Sequence, residues 1–340
     1  LERFGIEPAT AALAVDYVDA RLPGIPAYLA FTVLRSYLQA VERPRSMVVS
    51  AVVANVVNLP LNVLFVFGGG VLTKVGLPTV GFSAYGTVGA GYASSIVMLL
   101  QLGVVWMALR GVAIGAPHSR RPDGRRMLVV ARIGLPAGLQ RLAEVGVFSI
   151  AGVLMGRIST LALAAHQVAM VLASATFMVP LGISAAAAVR VGRAVGRRDQ
   201  AGAERAGYAA LAAGGLFMGL CAIAFVSFPE PLARLLTDQP DVVSAARPLL
   251  MVAAAFQVSD GLQVVAAGAL RGAGDTRVPL VLNLIGHYAV GMPVGVGLAF
   301  YAGQGATGLW WGLLAGLTVV AVALIVRFVR LASSVIEPVA

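Results

Sequence analysis

The sequence has little charge and almost no cysteine. Asp, Glu, Lys and Arg make up 12% of the 340 residues against 59% hydrophobic, where a soluble domain needs roughly 25% charged residues to cover its surface. That shortfall excludes a water-soluble globular chain, and a mean hydropathy of +0.88 points to an all-α, polytopic membrane protein. Cys221 stands alone inside an apolar run, so there is neither a disulfide framework nor a cysteine-based metal site. No GxxxxGK[ST] loop is present to bind ATP phosphates, and no HExxH or Cys cluster supports metal-dependent hydrolysis, so no cofactor is expected. Two lone carboxylates on different helices, without a nucleophile motif, do not define a reaction, and the chain does not read as an enzyme. It opens at Leu1 on a polar, helix-like stretch rather than a signal peptide.

What is there is a series of apolar segments separated by basic loops. The formal net charge is +10, but the basic residues lie between the apolar segments, as on cytoplasmic loops, so the partner is the bilayer and not nucleic acid. Residues 1–22 read as an interfacial amphipathic helix. Segments long enough to cross a bilayer, about 20 residues each, follow near 23–41, 46–67, 84–109, 128–155, 161–189, 205–227, 248–270, 278–299 and 306–329. Alternate loops carry Arg43 and Arg45, the cluster Arg110 to Arg132, the cluster Arg190 to Arg205, Arg271 and Arg277, and Arg327 and Arg330. The positive-inside rule makes these the cytoplasmic side and puts the C-terminus there too.

An internal repeat accounts for the odd span number. Glu7-Pro8 and Ala14 match Gln239-Pro240 and Ala246, and Leu38, Ala40 and Arg45 match Leu270, Gly272 and Arg277, always 232 positions apart. Two related halves in one orientation form a parallel repeat about an axis along the membrane normal. The second half holds six spans and the first holds three, so three further helices are expected before Leu1. The layout is a partial first lobe over 1–112, a cytoplasmic linker over 113–127 and a complete six-span lobe over 128–340.

Of the 15 acidic residues, only Glu144 and Asp260 fall well inside apolar spans. A carboxylate there costs at least a few kcal/mol, so it faces the protein interior or a wet cavity and marks an ion or proton pathway. The plainer alternative is a buried partner in an ion pair, such as Glu144 with Arg141 one turn away. As a coupling site, a desolvated carboxylate can take up H⁺ and an ionised one can help hold Na⁺. Gln257 and Gln263 flank Asp260, and the adjoining span carries Asn283, His287 and Tyr288. Asn55, Asn58 and Asn62 share one helical stripe around Pro60 and serve either to join helices or to line a cavity. His166 reads as a packing residue, with a proton relay as the alternative. Pro136, Pro180 and Pro293 interrupt spans and point to bending helices around a central cavity.

Several stretches carry a resemblance over essentially the whole chain. The turn LRGAGDTRVP after the Asp260 helix, IGLPAGLQRLAEVGVFS from Ile133, LALAAHQVAMVLASATFMVPLGISAAAAVRVGRAVG from Leu161 and NLPLNVLFVFG from Asn58 are similar to the multidrug and toxic compound extrusion family, nearest its NorM-type bacterial branch. The resemblance implies twelve helices in two six-helix lobes around a cleft, nine of them present in this N-terminally incomplete chain. It also implies a monomer of the bacterial cytoplasmic membrane that exports cationic, amphipathic drugs in exchange for Na⁺ or H⁺ by alternating access. It sets Glu144 and Asp260 on the second-lobe cation site, and Phe256 where such members can carry a tyrosine hydroxyl. Asn58 and Asn62 match polar positions of the fifth helix, where another branch holds an ion with Asn and Asp. Two alternatives accompany this expectation. A lipid-linked oligosaccharide flippase of the same superfamily would favour a cleft rich in bases, whereas only Arg35 and Arg141 lie well inside spans. The other is a membrane fragment that does not transport.

Overall fold

A computed structural model describes residues 8–41, 43, 45–71, 81–110 and 123–332. Among them the regular secondary structure is helical, and the chain divides into two compact units, residues 1–119 and 120–340. Much of the linker expected over 113–127 lies outside the described residues, as does His118; Gly124 already opens a helix.

The first unit holds α1 (Pro8–Arg21), α2 (Gly24–Ala40), α3 (Arg45–Phe67) and α4 (Gly86–Arg110). The stretch read as an interfacial helix forms α1, and only Leu22 and Pro23 separate it from α2. Leu22 N–H donates to the Val18 carbonyl and Ile25 N–H to the Leu22 carbonyl, and Pro23 between them keeps right-handed helical dihedrals. Proline is tolerated at that place because the first turn of a helix has no use for its missing N–H. This run docks on α4 through small residues: Ala20 is buried against Gly91, and Ser95 Oγ donates to the Ala20 carbonyl at 2.8 Å. Any Cβ at Gly24 would meet the Ser95 backbone.

The second unit holds α5 (Gly124–Ile158), α6 (Thr160–Gly196), α7 (Gln200–Ser227), the short α8 (Pro229–Arg234) and α9 (Pro240–Gly272). A mixed segment follows, with α10 (Arg277–Leu284), a π-helical turn Ile285–Gly291, α11 (Met292–Val296) and a second π-helical turn Gly297–Tyr301, before α12 (Gly305–Ala332) closes the unit. Caps mark two helix starts. Ser159 accepts from the Ala162 N–H at 2.9 Å and Asp199 from the Gly202 N–H at 2.8 Å, each satisfying one of the free donors at a helix N-terminus.

Nine spans are expected from the sequence, but eight described helical stretches are long and apolar enough to cross a membrane, six of them in the second unit. The ninth, near 23–41, is α2, only 17 residues long. It occupies the expected place, and what falls short is its length, below the roughly 20 residues that cross a bilayer.

Helix α9 is the axis of the second unit, and both large apolar clusters contain its residues. Its close neighbours approach over small side chains, which suits a bilayer, where tight van der Waals packing holds helices together. On α6, Ser184 Oγ donates to the Val264 carbonyl at 2.6 Å, and the backbones of Ser184 and Ala188 face Gly268 and Gly272. A second small-residue seam joins α12 to the mixed segment, with Gly308 against Ala299, Gly312 against Gly295 and Gly316 against Gly286 and Gly291. Pro293 lies between the two π-helical turns. A proline removes one backbone donor and displaces the carbonyl four residues back, and a widened turn accommodates that disturbance. By contrast Pro60, Pro136, Pro180 and Pro248 each sit within a single assigned α-helix.

Candidate cation site in the second unit

The apolar pattern of α5 turns Glu144 inward, where its residue is 9% exposed. Four side chains donate to it. Gln140 Nε2 at 3.1 Å, Gln263 Nε2 at 2.7 Å and Asn283 Nδ2 at 2.9 Å converge on Oε1, and Arg141 Nη1 reaches Oε2 at 2.8 Å. Gln140 and Arg141 come from the preceding turn of α5, Gln263 from α9 and Asn283 from α10. Together the four bonds hold the Glu144 side chain in place. The alternative reading of Glu144 as the partner of Arg141 is therefore present in the structure, as one contact of four. Arg141 keeps 44% of its side chain exposed.

Asp260 faces the same space in a different condition. A cavity of about 180 Å³ is lined by Arg141, Glu144, Phe148, Asp260, Gln263 and His287, with Phe256, Ser174, Phe177 and Leu317 among the remaining walls. It greatly exceeds the roughly 10–15 Å³ that one water requires. Among the described residues Asp260 has no hydrogen bond or salt bridge, in contrast to Glu144 across the cavity. The carboxylates thus differ in surroundings: one accepts from four side-chain donors, and the other lines the cavity with no such donor among the described residues.

Further buried polar atoms lack partners among the described residues: Asn283 Oδ1, Gln257 Nε2 and both ring nitrogens of His287, of which only His287 belongs to a residue lining the cavity. Gln257 Oε1 accepts from the Thr176 hydroxyl. His287 sits in the first π-helical turn, 2% exposed, with its ring 6.4 Å from that of Phe148. Buried polar groups normally find a partner, so these orphan atoms mark a polar interior next to the cavity-lining residues Glu144 and His287.

The structure brings together Glu144, Asp260, Phe256, Gln263 and His287 around one cavity, with Asn283 bonded to Glu144. Phe256 packs edge-on against Phe148 and Trp310, with centroids 6.0 and 5.4 Å away, and contributes a wall without a hydroxyl. Tyr288 turns away from this set: its Oη donates to the Ala143 carbonyl at 2.9 Å. His166 is buried and packs edge-on to Trp310 at 5.8 Å, and its Nδ1 has no hydrogen-bond partner among the described residues. Asn55, Asn58 and Asn62 belong to the first unit and bond along their own helix. Asn55 Nδ2 donates to the Ala51 carbonyl at 2.8 Å, and Asn62 Nδ2 donates to Asn58 Oδ1 and O at 2.9 Å. Sequence reasoning passed over Gln140 and Thr176. The four-residue spacing of Gln140 and Glu144 was a usable signal; Thr176 had none, because its partner is 81 positions away.

The MatE family model matches residues 1–64 and 136–296. A probable multidrug resistance protein NorM of Brucella suis biovar 1 is 39% identical over 336 residues, which cover 96% of this chain and 69% of that protein. The corresponding protein of Mesorhizobium japonicum is 38% identical over 96% of this chain and 70% of its own length. Among solved structures, an outward-facing multidrug resistance MATE family transporter of the MOP superfamily superposes with a TM-score of 0.85 at 18% identity, over 97% of this chain and 72% of that one. With the same helical fold and this degree of sequence identity to its bacterial relatives, the chain belongs to the MatE family, a family of multi-pass membrane transporters.

Proposed function

We propose that the chain is a cation-coupled multidrug antiporter, exporting cationic amphipathic compounds by alternating access. The observation that carries this reading is the contrast between Glu144, engaged by four donors, and Asp260, on the same cavity without a hydrogen bond or salt bridge among the described residues. Asp260 is the exchanging group, taking H⁺ or Na⁺, and Glu144 supplies a fixed negative charge beside it. His287, which lines the same cavity with both ring nitrogens unpartnered among the described residues, is the candidate proton relay beside Asp260. A ligand shifts the balance between two lobe orientations only by its difference in affinity for them, so exchange requires cation and drug to favour opposite orientations.

In this reading the second unit is a six-span lobe, and α1 with α2 acts as one span of the other lobe, giving nine spans in this chain. The protein is a monomer of the bacterial inner membrane, with the arginine-rich loops and the C-terminus in the cytoplasm.

The test is ethidium efflux from cells expressing wild-type protein, Asp260→Asn or Glu144→Gln at matched membrane levels. Both variants are expected to abolish cation-driven efflux. Wild-type rates in both would refute the assignment.

A further inference from the structure

A second site lies away from the carboxylates, between α6 and α7. A groove of about 580 Å³ runs between these helices and is walled by small residues, with Ala187 and Ala194 on α6 and Gly202, Ala206 and Ala210 on α7 among them. Alanine and glycine leave the space open and offer no side-chain hydrogen bonds. Its polarity changes along its length. Ile183 and Ala186 on α6 and Ala209 and Ala210 on α7 form the end nearer the middle of the spans, whereas Arg190, Arg197 and Arg205 line it towards the helix ends. At 1.5 Å per residue the step from Ile183 to Arg190 is about 10 Å along the axis, within the reach of an acyl chain and a headgroup.

Arg190 lies in the last two turns of α6, Arg197 caps its C-terminal end, and Arg205 approaches from α7. All three are exposed. Arg205 uses its Nε on the Ala201 carbonyl at 3.2 Å, and Arg190 and Arg197 have no ion pair among the described residues. The described groove lining includes no acid; nearby Asp199 already accepts from the Gly202 N–H as a helix cap. Three guanidinium groups above an apolar trough complement a phosphodiester on a hydrocarbon chain, because the planar fork of arginine binds phosphate oxygens in pairs, and basic pockets between membrane helices suit anionic headgroups.

We infer that the groove between α6 and α7 is a binding site for an anionic glycerophospholipid, with the phosphate held by Arg190, Arg197 and Arg205 and an acyl chain lying over Ala186, Ala209 and Ala210. The inference rests on the membrane placement of these helices and not on ion coupling, so it stands or falls separately from the transport reading.

The test is lipid retention by purified protein in neutral detergent, measured by native mass spectrometry during titration with phosphatidylglycerol or phosphatidylcholine. Wild-type protein is expected to hold phosphatidylglycerol at least tenfold more tightly than phosphatidylcholine. Replacing the three arginines together with glutamine should remove that preference, and Arg197→Gln alone should weaken it in part. Ala186→Leu, which fills the trough without changing charge, should lower phosphatidylglycerol retention, and millimolar inorganic phosphate should not compete. Melting of each variant in lipid-free detergent, matched to wild type, confirms that folding is intact. Equal retention of both lipids by wild type, an unchanged preference in the triple variant, no effect of Ala186→Leu, or full competition by inorganic phosphate would overturn the site.

Discussion

Asn283 Nδ2 donates to Glu144 Oε1 across 2.9 Å, joining α10 to α5 through two residues 139 positions apart in the sequence. Asn283 is fully buried, and its own Oδ1 has no partner among the described residues. The bond therefore orients the carboxylate, while the other end of the same amide stays unpaired among the described residues. Asn283→Leu preserves approximate volume and removes the donor. It should destabilise the protein by about 1–2 kcal/mol, since Glu144 keeps three other donors. Thermal melting in detergent checks this, and Asn283→Asp should lower the melting temperature further by setting a second carboxylate against the first.

Arg141 and Glu144 form a 2.8 Å ion pair one turn apart on α5. With 44% of the Arg141 side chain exposed, solvent screens the pair, and Arg141→Gln should cost about 1 kcal/mol or less. Its larger effect is expected on transport, because the compensating positive charge beside the cavity is lost. Comparison of denaturation midpoints with ethidium efflux rates separates these effects. A stability loss of several kcal/mol with unchanged efflux would show that the pair serves folding alone.

Gly312 on α12 is a packing requirement. A Cβ there would fall on the Gly295 backbone and lie 2.6 Å from the Gly291 carbonyl oxygen, and backbone atoms cannot swing aside. Gly312→Val should therefore cost at least about 1–3 kcal/mol or prevent membrane accumulation. Gly297→Ala is the control, because its Cβ meets nothing within 4 Å. Fluorescence-detected size exclusion of both variants reads the difference.

The amides of α3 make a contrasting case. Asn62 bonds to Asn58 within one helix and is half-buried. Asn62→Ala is expected to change stability by about 1 kcal/mol or less, measured by the same melting assay. A loss of several kcal/mol would reveal that the stripe joins helices after all.

How much of this was legible in the sequence depended on contrast and distance. Asp260 and Glu144 stood out because a carboxylate is rare in an apolar run. The constant 232-residue offset also has a structural counterpart, since α1 and α2 together cover Pro8–Ala40 and α9 covers Pro240–Gly272. The difference between the halves was harder to see: Pro23 divides the first copy into two helices, whereas the second runs unbroken, and this upset the span count. Thr176 and Phe148 reach the site only through tertiary packing and left no periodic trace. The π-helical turns around Pro293 were not foreseeable in form, because an interrupted hydrophobic segment does not say whether the chain kinks or widens.

The most direct test of competition at Asp260 is displacement of bound tetraphenylphosphonium from purified protein, measured by equilibrium dialysis as Na⁺ is added or pH is lowered. Wild-type protein should release the bound cation under at least one of these conditions, and that condition identifies the coupling ion. Asp260→Asn should bind tetraphenylphosphonium and retain it under both. Release from Asp260→Asn to the wild-type extent would contradict the account.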